Sequence, residues 1–308
     1  MIRSDALKGA TLSFIGCGVM AEAIIAGLLS KGLVKAEQIV GSHPNEERRA
    51  ELHDKYGIRL FEINRDAVGY DPKRGAVVVT PTFGNRGTAH DEEATSSIVI
   101  FTVKPQRLGV VLNDLKAAVQ PQQLVISIVA GARIETIANA LQHRSIVRAM
   151  PNTPAQIGEG MTVWTATPEV SAAQQTQIHA VFGALGREMH VEEERMIDMA
   201  TALSATGPTY TFLVMEALID AGVHMGFSRH VAEELVLQTM LGSVLFARES
   251  RKHPAELRNM VTSPGGTSAE AIYQIEKGGL RTVLSKAVWA AYQRAAALGR
   301  DPNNNSTD

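Results

Sequence analysis

A short glycine-rich loop near the start of the chain carries the first residues whose types and spacing suggest chemistry. The loop, residues 16–21, has the sequence Gly-Cys-Gly-Val-Met-Ala and follows an apolar run. Gly16 permits a tight turn, Gly18 lets a pyrophosphate approach bare backbone, and Ala21 lets the next helix pack closely on the strand. Free amides at the start of that helix favour an anion. The loop therefore predicts dinucleotide binding, although a purely structural strand–helix turn can have the same spacing.

The end of the second predicted strand indicates which dinucleotide is bound. An NAD-specific loop places a carboxylate there, about 20 residues after the glycines, to bind the ribose hydroxyls. This chain has Ser42 and His43 at that point, with Arg48 and Arg49 just beyond, and no carboxylate there to repel a 2′-phosphate. The hydroxyl, the imidazole or the nearby arginines could accept that phosphate. The predicted cofactor is NADP, with NADPH preferred and NADH still usable. Alternatively, the arginines lie on a solvated helix face and pair with neighbouring glutamates.

Two further strand ends could border a cofactor, because ligands of open α/β sheets bind beyond the carboxyl ends of the strands. One strand ends in Lys104 and Pro105, and the next ends in the small residues Ala130 and Gly131. A lone lysine at a strand end is more often simply solvated. Cys17, the single cysteine, could be a redox switch, but a small apolar filler is the favoured interpretation.

Two proline-containing segments are candidates for the substrate side. Residues 148–154, Arg-Ala-Met-Pro-Asn-Thr-Pro, could wall a nicotinamide pocket or could be a rigid connection. Residues 261–268, Val-Thr-Ser-Pro-Gly-Gly-Thr-Ser, bring hydroxyls and amides to the start of a helix predicted at 269–277. That arrangement suits a carboxylate, and it is also typical of a helix cap. Spacing alone favours a rigid connection for residues 148–154 and a helix cap for residues 261–268.

Composition and charge narrow the function classes. The 308 residues include 30 Lys and Arg against 32 Asp and Glu, a net charge of −2, so a nucleic acid partner is not expected. The longest uncharged stretch, residues 199–215, is too short and too polar for a membrane span. The single cysteine excludes a disulfide framework and fits a reducing cytoplasm. The scattered histidines predict no metal site, and hydrolase and phosphoryl-transfer motifs are absent from the sequence.

The elements that must hold these loops change in character near residue 170. Before it, short apolar runs alternate with amphipathic stretches, which predicts a parallel, doubly wound α/β sheet of Rossmann type. The predicted strands are residues 11–15, 38–41, 58–61, 98–103, 124–129 and 146–149. After it, strand signals vanish and the predicted helices are residues 171–185, 192–204, 210–225, 229–251 and 280–298. The predicted domains are residues 1–168 and 169–300, with a disordered tail at 301–308.

The helix predicted at residues 210–225 is apolar on nearly every face, broken mainly by Glu216 and Asp220. Such a helix must be buried all round. The pattern leaves two possibilities open, the centre of a monomeric bundle and the seam of a dimer.

Six motifs, in order along the chain, resemble those of the pyrroline-5-carboxylate reductase family, whose members reduce a cyclic imino acid with NADPH or NADH. They are residues 15–24 (IGCGVMAEAI), 103–105 (VKP), 130–131 (AG), 150–154 (MPNTP), 207–210 (GPTY) and 262–267 (TSPGGT). The resemblance extends from residue 12 to residue 298 and is more specific than the glycine loop alone.

The resemblance implies a Rossmann domain joined to an all-α dimerisation domain, with helix 210–225 in the interface of a homodimer that some members extend to a decamer. It implies reduction of 1-pyrroline-5-carboxylate to L-proline. The residues that would line the dinucleotide are Ile15, Gly16, Cys17, Gly18, Val19, Met20, Ser42, His43, Asn64, Thr102, Val103, Lys104, Pro105, Ile128, Val129 and Ala130. Those that would bind the substrate are Ser263, Gly266, Thr267 and Ser268, with Ser268 as the candidate catalytic residue.

The chain departs from the family pattern in three places. Ala205, Thr206 and Thr209 replace smaller residues before a tyrosine, and Met260 stands where relatives usually have a polar residue. Residues 69–96 form an insert, expected to be an exposed loop, with an edge hairpin near the adenosine as the alternative. Two other functions stay open: a reductase of another cyclic imine or of a hydroxyacid, and a protein that binds NADP without turnover.

Overall fold

A computed structural model describes residues 5–71, 76–77 and 97–299. The strands are β1 (Leu12–Ile15), β2 (Ile39–Ser42), β3 (Arg59–Phe61), β4 (Tyr70–Asp71), β5 (Ala76–Val77), β6 (Ile98–Phe101), β7 (Leu124–Ser127), β8 (Ile146–Met150), β9 (Gly160–Ala166) and β10 (Gly186–His190). One sheet has the order β10-β9-β8-β7-β6-β1-β2-β3, and all its neighbours run parallel except β8 and β9. The predicted doubly wound α/β sheet is confirmed.

Helices alternate with these strands and then follow them without interruption. They are α1 (Val19–Ser30), α2 (Glu46–Tyr56), α3 (Asn64–Gly69), α4 (Pro105–Leu115), α5 (Ile134–Leu141), α6 (Ala172–Gly183), α7 (Arg195–Ala200), α8 (Gly207–His224), α9 (Arg229–Ser250), α10 (Pro254–Met260), α11 (Thr267–Lys277) and α12 (Leu280–Leu298). Local chemistry sets several of the ends. Asn45 caps α2 by accepting from the Arg48 amide, and Gly57 ends it with a φ of 68°. Ser171 opens α6 as part of a capping box.

The central strands of the sheet are buried on both faces, which explains why they are near-continuous apolar runs. Every residue of β1, β2, β6, β7 and β8 is buried. Phe14 shares one buried cluster with Ile24 of α1 and Phe182 of α6, while Phe101 and Leu112 belong to a second cluster. The two apolar clusters fix the strand ends that carry the predicted site.

Contacts group residues 206–290 as a second compact unit, separate from the unit that contains the sheet. In it, α8 has a single buried residue, Gly222. Phe212, Leu213 and Leu218 are 59%, 64% and 48% exposed. Of the two possibilities, the centre of a monomeric bundle is therefore wrong, because the described residues of the chain leave the apolar faces of α8 exposed.

The sheet extends beyond the last predicted strand. β9 runs antiparallel to β8, and β10 forms the edge at residues 186–190, so the expectation that strands end near residue 170 is wrong. The sequence of β10 is Gly-Arg-Glu-Met-His, and most of its side chains are exposed. An edge strand with a solvated face does not need an apolar run. The sequence pattern that predicted the other strands is therefore missing from β10. The helix predicted at 192–204 is the shorter α7, followed by a π-helical turn at Thr201–Ala205.

Three further expectations concern the domain boundary, the insert and the C-terminal tail. The domain boundary at 168–169 stays a prediction, while the contacts keep the chain with the sheet as far as Ala205. In the insert, β4 and β5 pair antiparallel outside the main sheet, and residues 72–75 and 78–96 lie outside the described residues. The tail at 301–308 also lies outside them. Among the described helices, none is long and apolar enough to span a membrane.

Candidate active site

The crevice at the carboxyl ends of the central strands collects most of the predicted cofactor residues. β1 lies between β6 and β2, so the chain leaves it in one direction and later returns on its other side. Such a switch point is where open α/β sheets bind their ligands. Ile15, Ser42 and Thr102 lie at or next to the ends of β1, β2 and β6, and Ile128 follows β7.

Backbone hydrogen bonds fold the glycine loop against β2. The amides of Gly16 and Cys17 donate to the Ser42 carbonyl at 3.2 and 3.0 Å. The helical ladder begins when the Glu22 amide donates to the Gly18 carbonyl at 3.0 Å. The amides of residues 19–21 precede that bond, in the turn where a helix leaves its amides without internal partners. Within the predicted run 15–20, the residues at the start of α1 therefore offer free amides to an anion. The amides of Gly16 and Cys17 do not, because they donate to the Ser42 carbonyl.

The two loop glycines are required for different reasons. Gly16 has a φ of 94°, and a Cβ there would lie 2.6 Å from Val103 Cγ1. Gly18 has an ordinary φ of −83°, and a Cβ there would meet no heavy atom within 4 Å. Open space beside free helix amides fits a pyrophosphate, which is the group that a dinucleotide cofactor would bring to this position.

The residues after β2 form the side expected to face the adenosine ribose. The Ser42 hydroxyl donates to Asn64 Oδ1 at 2.8 Å, so the two predicted residues are in contact. His43 is half-buried, and its Nδ1 accepts from the Asn45 amide at 3.2 Å. Burial lowers the pKa of His43, and the charges of two nearby arginines lower it further although the Asn45 hydrogen bond opposes them. The imidazole is therefore kept neutral and would serve as a hydrogen-bonding surface.

The arginines after β2 are already engaged by the protein. Arg48 donates from Nε to the Cys17 carbonyl at 3.2 Å and pairs with Glu51 at 2.8 Å and Glu22 at 2.5 Å. Arg49 donates from Nη1 to the two backbone carbonyls of residues 43 and 44. The ion pair between Arg48 and Glu51 agrees with the alternative prediction, in which the arginines pair with glutamates on the same helix. Its contacts with Glu22 and the loop were missed by sequence reasoning, because they join residues far apart in the chain.

The ends of β6 and β7 complete the crevice. The Thr102 hydroxyl lies 3.0 Å from the Ile15 carbonyl oxygen and 2.8 Å from that of Gly16. Lys104 is exposed and precedes α4 with no side-chain capping bond, while Pro105 is the first residue of that helix. Residues 128–130 follow β7, and the amide of residue 128 donates to the carbonyl of residue 101 at the end of β6.

The predicted substrate residues lie in the second unit, at the start of α11. Gly266 is the N-cap residue, and no side chain bonds to the first-turn amides. The segment therefore starts the helix, as the capping interpretation predicts, with Gly266 as the cap residue and without a side-chain hydrogen bond. Ser263 is exposed and its carbonyl accepts from the Gly266 amide, so that amide is used internally. Thr267 is exposed and Ser268 is half-buried in the first turn of the helix, where hydroxyls and amides lie together.

Residues 148–154 are a structural connection in the first unit. Asn152 Oδ1 accepts from the Met161 amide at 2.8 Å, which joins the segment to β9. Arg148 is 1% exposed and pairs with Glu194 at 2.9 Å and with Asp198 at 2.6 Å. The favoured reading of this segment as a rigid connection agrees with these contacts.

Among the described residues, no group of three His, Cys, Asp or Glu side chains could hold a metal ion. Cys17 is fully buried, and burial raises the pKa of its thiol to about 12. A thiol held protonated in this way is a poor nucleophile, which agrees with its interpretation as an apolar filler.

Comparison with known proteins places this architecture in one family. A family model described as pyrroline-5-carboxylate reductase dimerisation matches residues 194–298, and one described as NADP oxidoreductase coenzyme F420-dependent matches residues 11–131. Pyrroline-5-carboxylate reductase of Pseudomonas aeruginosa is 38% identical over 288 residues, which cover 93% of this chain and 96% of that protein. The Synechocystis enzyme of the same name is 37% identical over 289 residues, or 94% of this chain and 98% of that one.

A solved structure agrees with the sequence relatives. Plasmodium falciparum pyrroline carboxylate reductase with NADP bound has a TM-score of 0.79 and 29% identity, covering 95% of this chain and 99% of that one. The identity with the curated relatives extends over nearly the whole length of both chains. The chain therefore belongs to the pyrroline-5-carboxylate reductase family.

Proposed function

We propose that this chain reduces 1-pyrroline-5-carboxylate to L-proline with a reduced nicotinamide cofactor. The observation that carries the proposal is its 38% identity to the Pseudomonas aeruginosa enzyme over 93% of the chain. The glycine loop at the switch point of the sheet supplies the cofactor side. The hydroxyl-rich start of α11 supplies the substrate side.

The cofactor is NADP, with NADPH preferred. The open space at Gly18 and the amides of Val19 and Met20 support binding of the pyrophosphate there. Ser42, His43 and Asn64 would border the ribose and its 2′-phosphate, and residues 42–45 at the end of β2 include no carboxylate to repel that group. Other residues that would line the dinucleotide are Ile15, Gly16, Cys17, Thr102, Val103, Lys104, Pro105, Ile128, Val129 and Ala130.

The substrate carboxylate and ring nitrogen would be bound by Ser263, Gly266, Thr267 and Ser268. Helix α11 has 11 residues, so its dipole favours an anion at the first turn. No side chain caps that turn, which leaves its hydroxyls available to a ligand. The site therefore offers hydrogen-bond donors to a carboxylate without needing a cationic side chain.

The chemistry demands little of the protein beyond orientation and charge complementarity. A pyrroline C=N bond is electrophilic once its nitrogen is protonated, and reduced nicotinamide, when bound, supplies a hydride to the carbon of that bond. Ser268 would hydrogen-bond to the ring nitrogen and keep the C=N bond aligned. A neutral serine is a weak acid, so substrate that enters already protonated is the simpler source of the proton.

Replacing Ser268 with alanine is expected to lower kcat/KM for the pyrroline by about tenfold to a thousandfold, the range for losing a positioned donor. Ser30→Ala, which removes an exposed hydroxyl at the end of α1, is the control and should leave kcat/KM unchanged. Steady-state kinetics of both variants make the comparison. Equal kinetics for Ser268→Ala and Ser30→Ala would remove Ser268 from the mechanism.

The experiment that tests the function mixes the purified protein with NADPH and 1-pyrroline-5-carboxylate and follows nicotinamide absorbance. We expect NADPH to be consumed and proline to appear, with a higher kcat/KM for NADPH than for NADH. Tight NADPH binding without oxidation would instead indicate a binding protein. Oxidation with another cyclic imine or a hydroxyacid, but not with this pyrroline, would indicate a different reductase on the same scaffold.

The protein is a homo-oligomer, at least a dimer. Two observations support this: residues 194–298 match the family's dimerisation model, and α8 leaves large apolar side chains exposed within one chain. Further assembly into a decamer stays a prediction. A cytoplasmic location also stays a prediction, supported by the single reduced cysteine.

A further inference from the structure

Two side chains outside the glycine loop donate to carbonyl oxygens at the end of β1 and in the loop, with the single hydroxyl proton of Thr102 shared between two of them. Thr102 Oγ1 lies 3.0 Å from the Ile15 carbonyl oxygen and 2.8 Å from that of Gly16. Arg48 Nε lies 3.2 Å from the carbonyl oxygen of Cys17. The loop is therefore held on one side by the end of β6 and on the other by α2.

The orientation of these carbonyls matters to an anion. A carbonyl oxygen carries partial negative charge and repels a pyrophosphate, whereas the amides of the first helical turn attract it. The carbonyls of residues 15 and 16 also accept from the backbone amides of Thr102 and Gly18, at 3.0 and 2.8 Å, so the side-chain donors add to a turn that the backbone already holds next to the start of α1. Side chains that hold the carbonyls thus influence anion binding without contacting the anion.

The guanidinium of Arg48 is itself fixed by carboxylates. It pairs with Glu51 through Nη1 at 2.8 Å and with Glu22 through Nη2 at 2.5 Å. Glu22, in the first turn of α1, also accepts from Lys55 Nζ and the Tyr56 hydroxyl, each at 2.8 Å. Burial alone would raise the pKa of Glu22, but the donors from Lys55, Arg48 and Tyr56 together lower it to about 2. The carboxylate is therefore charged under any working condition of an enzyme assay.

We propose that Thr102 and Arg48 are positioning residues that fix the glycine loop for the cofactor, and that Arg48 does not bind the 2′-phosphate. Each guanidinium nitrogen of Arg48 already donates to an acceptor of the protein, and two carboxylates offset its charge. This assignment replaces the sequence interpretation in which an arginine after β2 accepts the phosphate. It rests on the proposed function, since it takes the loop to bind a nicotinamide dinucleotide.

The test compares the dissociation constants of NADPH and NADH, measured by nicotinamide fluorescence, for Arg48→Met and Thr102→Val. Both nucleotides carry the pyrophosphate, so each variant is expected to weaken both by the same factor, about threefold to thirtyfold for one lost hydrogen bond. Thr102→Ser retains the hydroxyl and is expected to keep both affinities within about twofold. Arg48→Lys keeps a charge beside Glu22 but lacks the planar fork, so its loss should be smaller and still equal for the two nucleotides.

Arg65→Met is the matched control. Arg65 is an exposed arginine of α3 whose Nε lies 2.7 Å from the Asp114 carbonyl oxygen and 3.0 Å from the Asp114 carboxylate. It should leave both affinities within about twofold, as most exposed substitutions do. A loss with Arg65→Met as large as that with Arg48→Met would show that the effect does not come from the loop contacts, and would overturn the proposal.

Two other results would also overturn it. A loss confined to NADPH in Arg48→Met would assign Arg48 to the 2′-phosphate, and unchanged affinity for both nucleotides in Arg48→Met and Thr102→Val would show that the loop does not need these contacts. Failure of the proposed function has a different signature. Unsubstituted protein that binds both nucleotides but does not oxidise NADPH with the pyrroline would refute the reductase, while the comparison of NADPH with NADH would still decide the role of Arg48.

Discussion

Asp198→Ala is expected to lower the free energy of unfolding by about 3–5 kcal/mol, because it leaves a buried guanidinium without its main counter-charge. The side chain of Arg148 is 1% exposed, and its two carboxylate partners are Asp198 at 2.6 Å and Glu194 at 2.9 Å. Glu194 is partly exposed and also accepts from the Ile134 amide, so it cannot replace the lost carboxylate. The Nε of Arg148 is buried and has no hydrogen-bond partner among the described residues, so these residues leave the guanidinium incompletely satisfied.

Urea unfolding at a fixed protein concentration measures this loss, since the stability of an oligomer depends on concentration. Glu193→Ala is the control, because Glu193 pairs with Arg195 at the surface of the same segment and such pairs contribute about 0–1 kcal/mol. Asp198→Asn keeps the shape of the side chain but removes its charge, and should fall between the two. Equal stabilities for Asp198→Ala and Glu193→Ala would contradict the account of Arg148.

Gly16→Ala and Gly18→Ala are expected to affect the protein in different ways. At Gly16, the φ of 94° and the contact with Val103 impose strain, so unfolding free energy should fall by about 1–3 kcal/mol and NADPH affinity should fall with it. At Gly18 the added methyl meets no protein atom, so stability should change by less than about 1 kcal/mol. NADPH affinity should nevertheless fall about tenfold to a hundredfold, because the methyl occupies the space of the pyrophosphate.

Thermal unfolding and NADPH titration of the two variants separate these effects. Gly109→Ala is the control: Gly109 lies within α4, its added methyl would meet nothing within 4 Å, and alanine favours a helix. It should unfold at the same or a higher temperature and bind NADPH normally. Normal NADPH affinity in Gly18→Ala would mean that the pyrophosphate lies elsewhere.

Much of the fold could be predicted because the buried strands have a direct signature. Strands such as Leu12–Ile15 and Ile98–Phe101 are covered on both faces, so nearly every residue in them is apolar. β10 lacks that signature, because an edge strand exposes much of its surface. The helix at residues 210–225 shows the converse: its apolar pattern predicts burial, but within one chain its large apolar side chains are exposed. A sequence does not say whether the same chain or another one covers such a helix.

The site was predicted where its chemistry is local. The residues of the glycine loop are contiguous in sequence, and their spacing suggests a dinucleotide. The hydroxyls at the start of α11 are also contiguous, but their spacing alone favours a helix cap. The contacts that hold the loop are not contiguous. The Thr102 side chain hydrogen-bonds to the carbonyls of residues 15 and 16, and the Arg48 side chain bonds to Cys17 and Glu22. These partners are far apart in sequence, so no local sequence pattern predicts the contacts.

The amino-acid sequence by itself determined the α/β sheet, the glycine loop and the family resemblance, because burial periodicity, backbone freedom and motif order are properties of neighbouring residues. Only the tertiary structure decided which donors are free and which are already used. Arg48 looked like an available cation beside the cofactor, yet its guanidinium is bound to Glu22, Glu51 and a loop carbonyl. The physical reason is that hydrogen bonds and ion pairs form between atoms that the fold brings together, and these pairings determine what each charge can still bind.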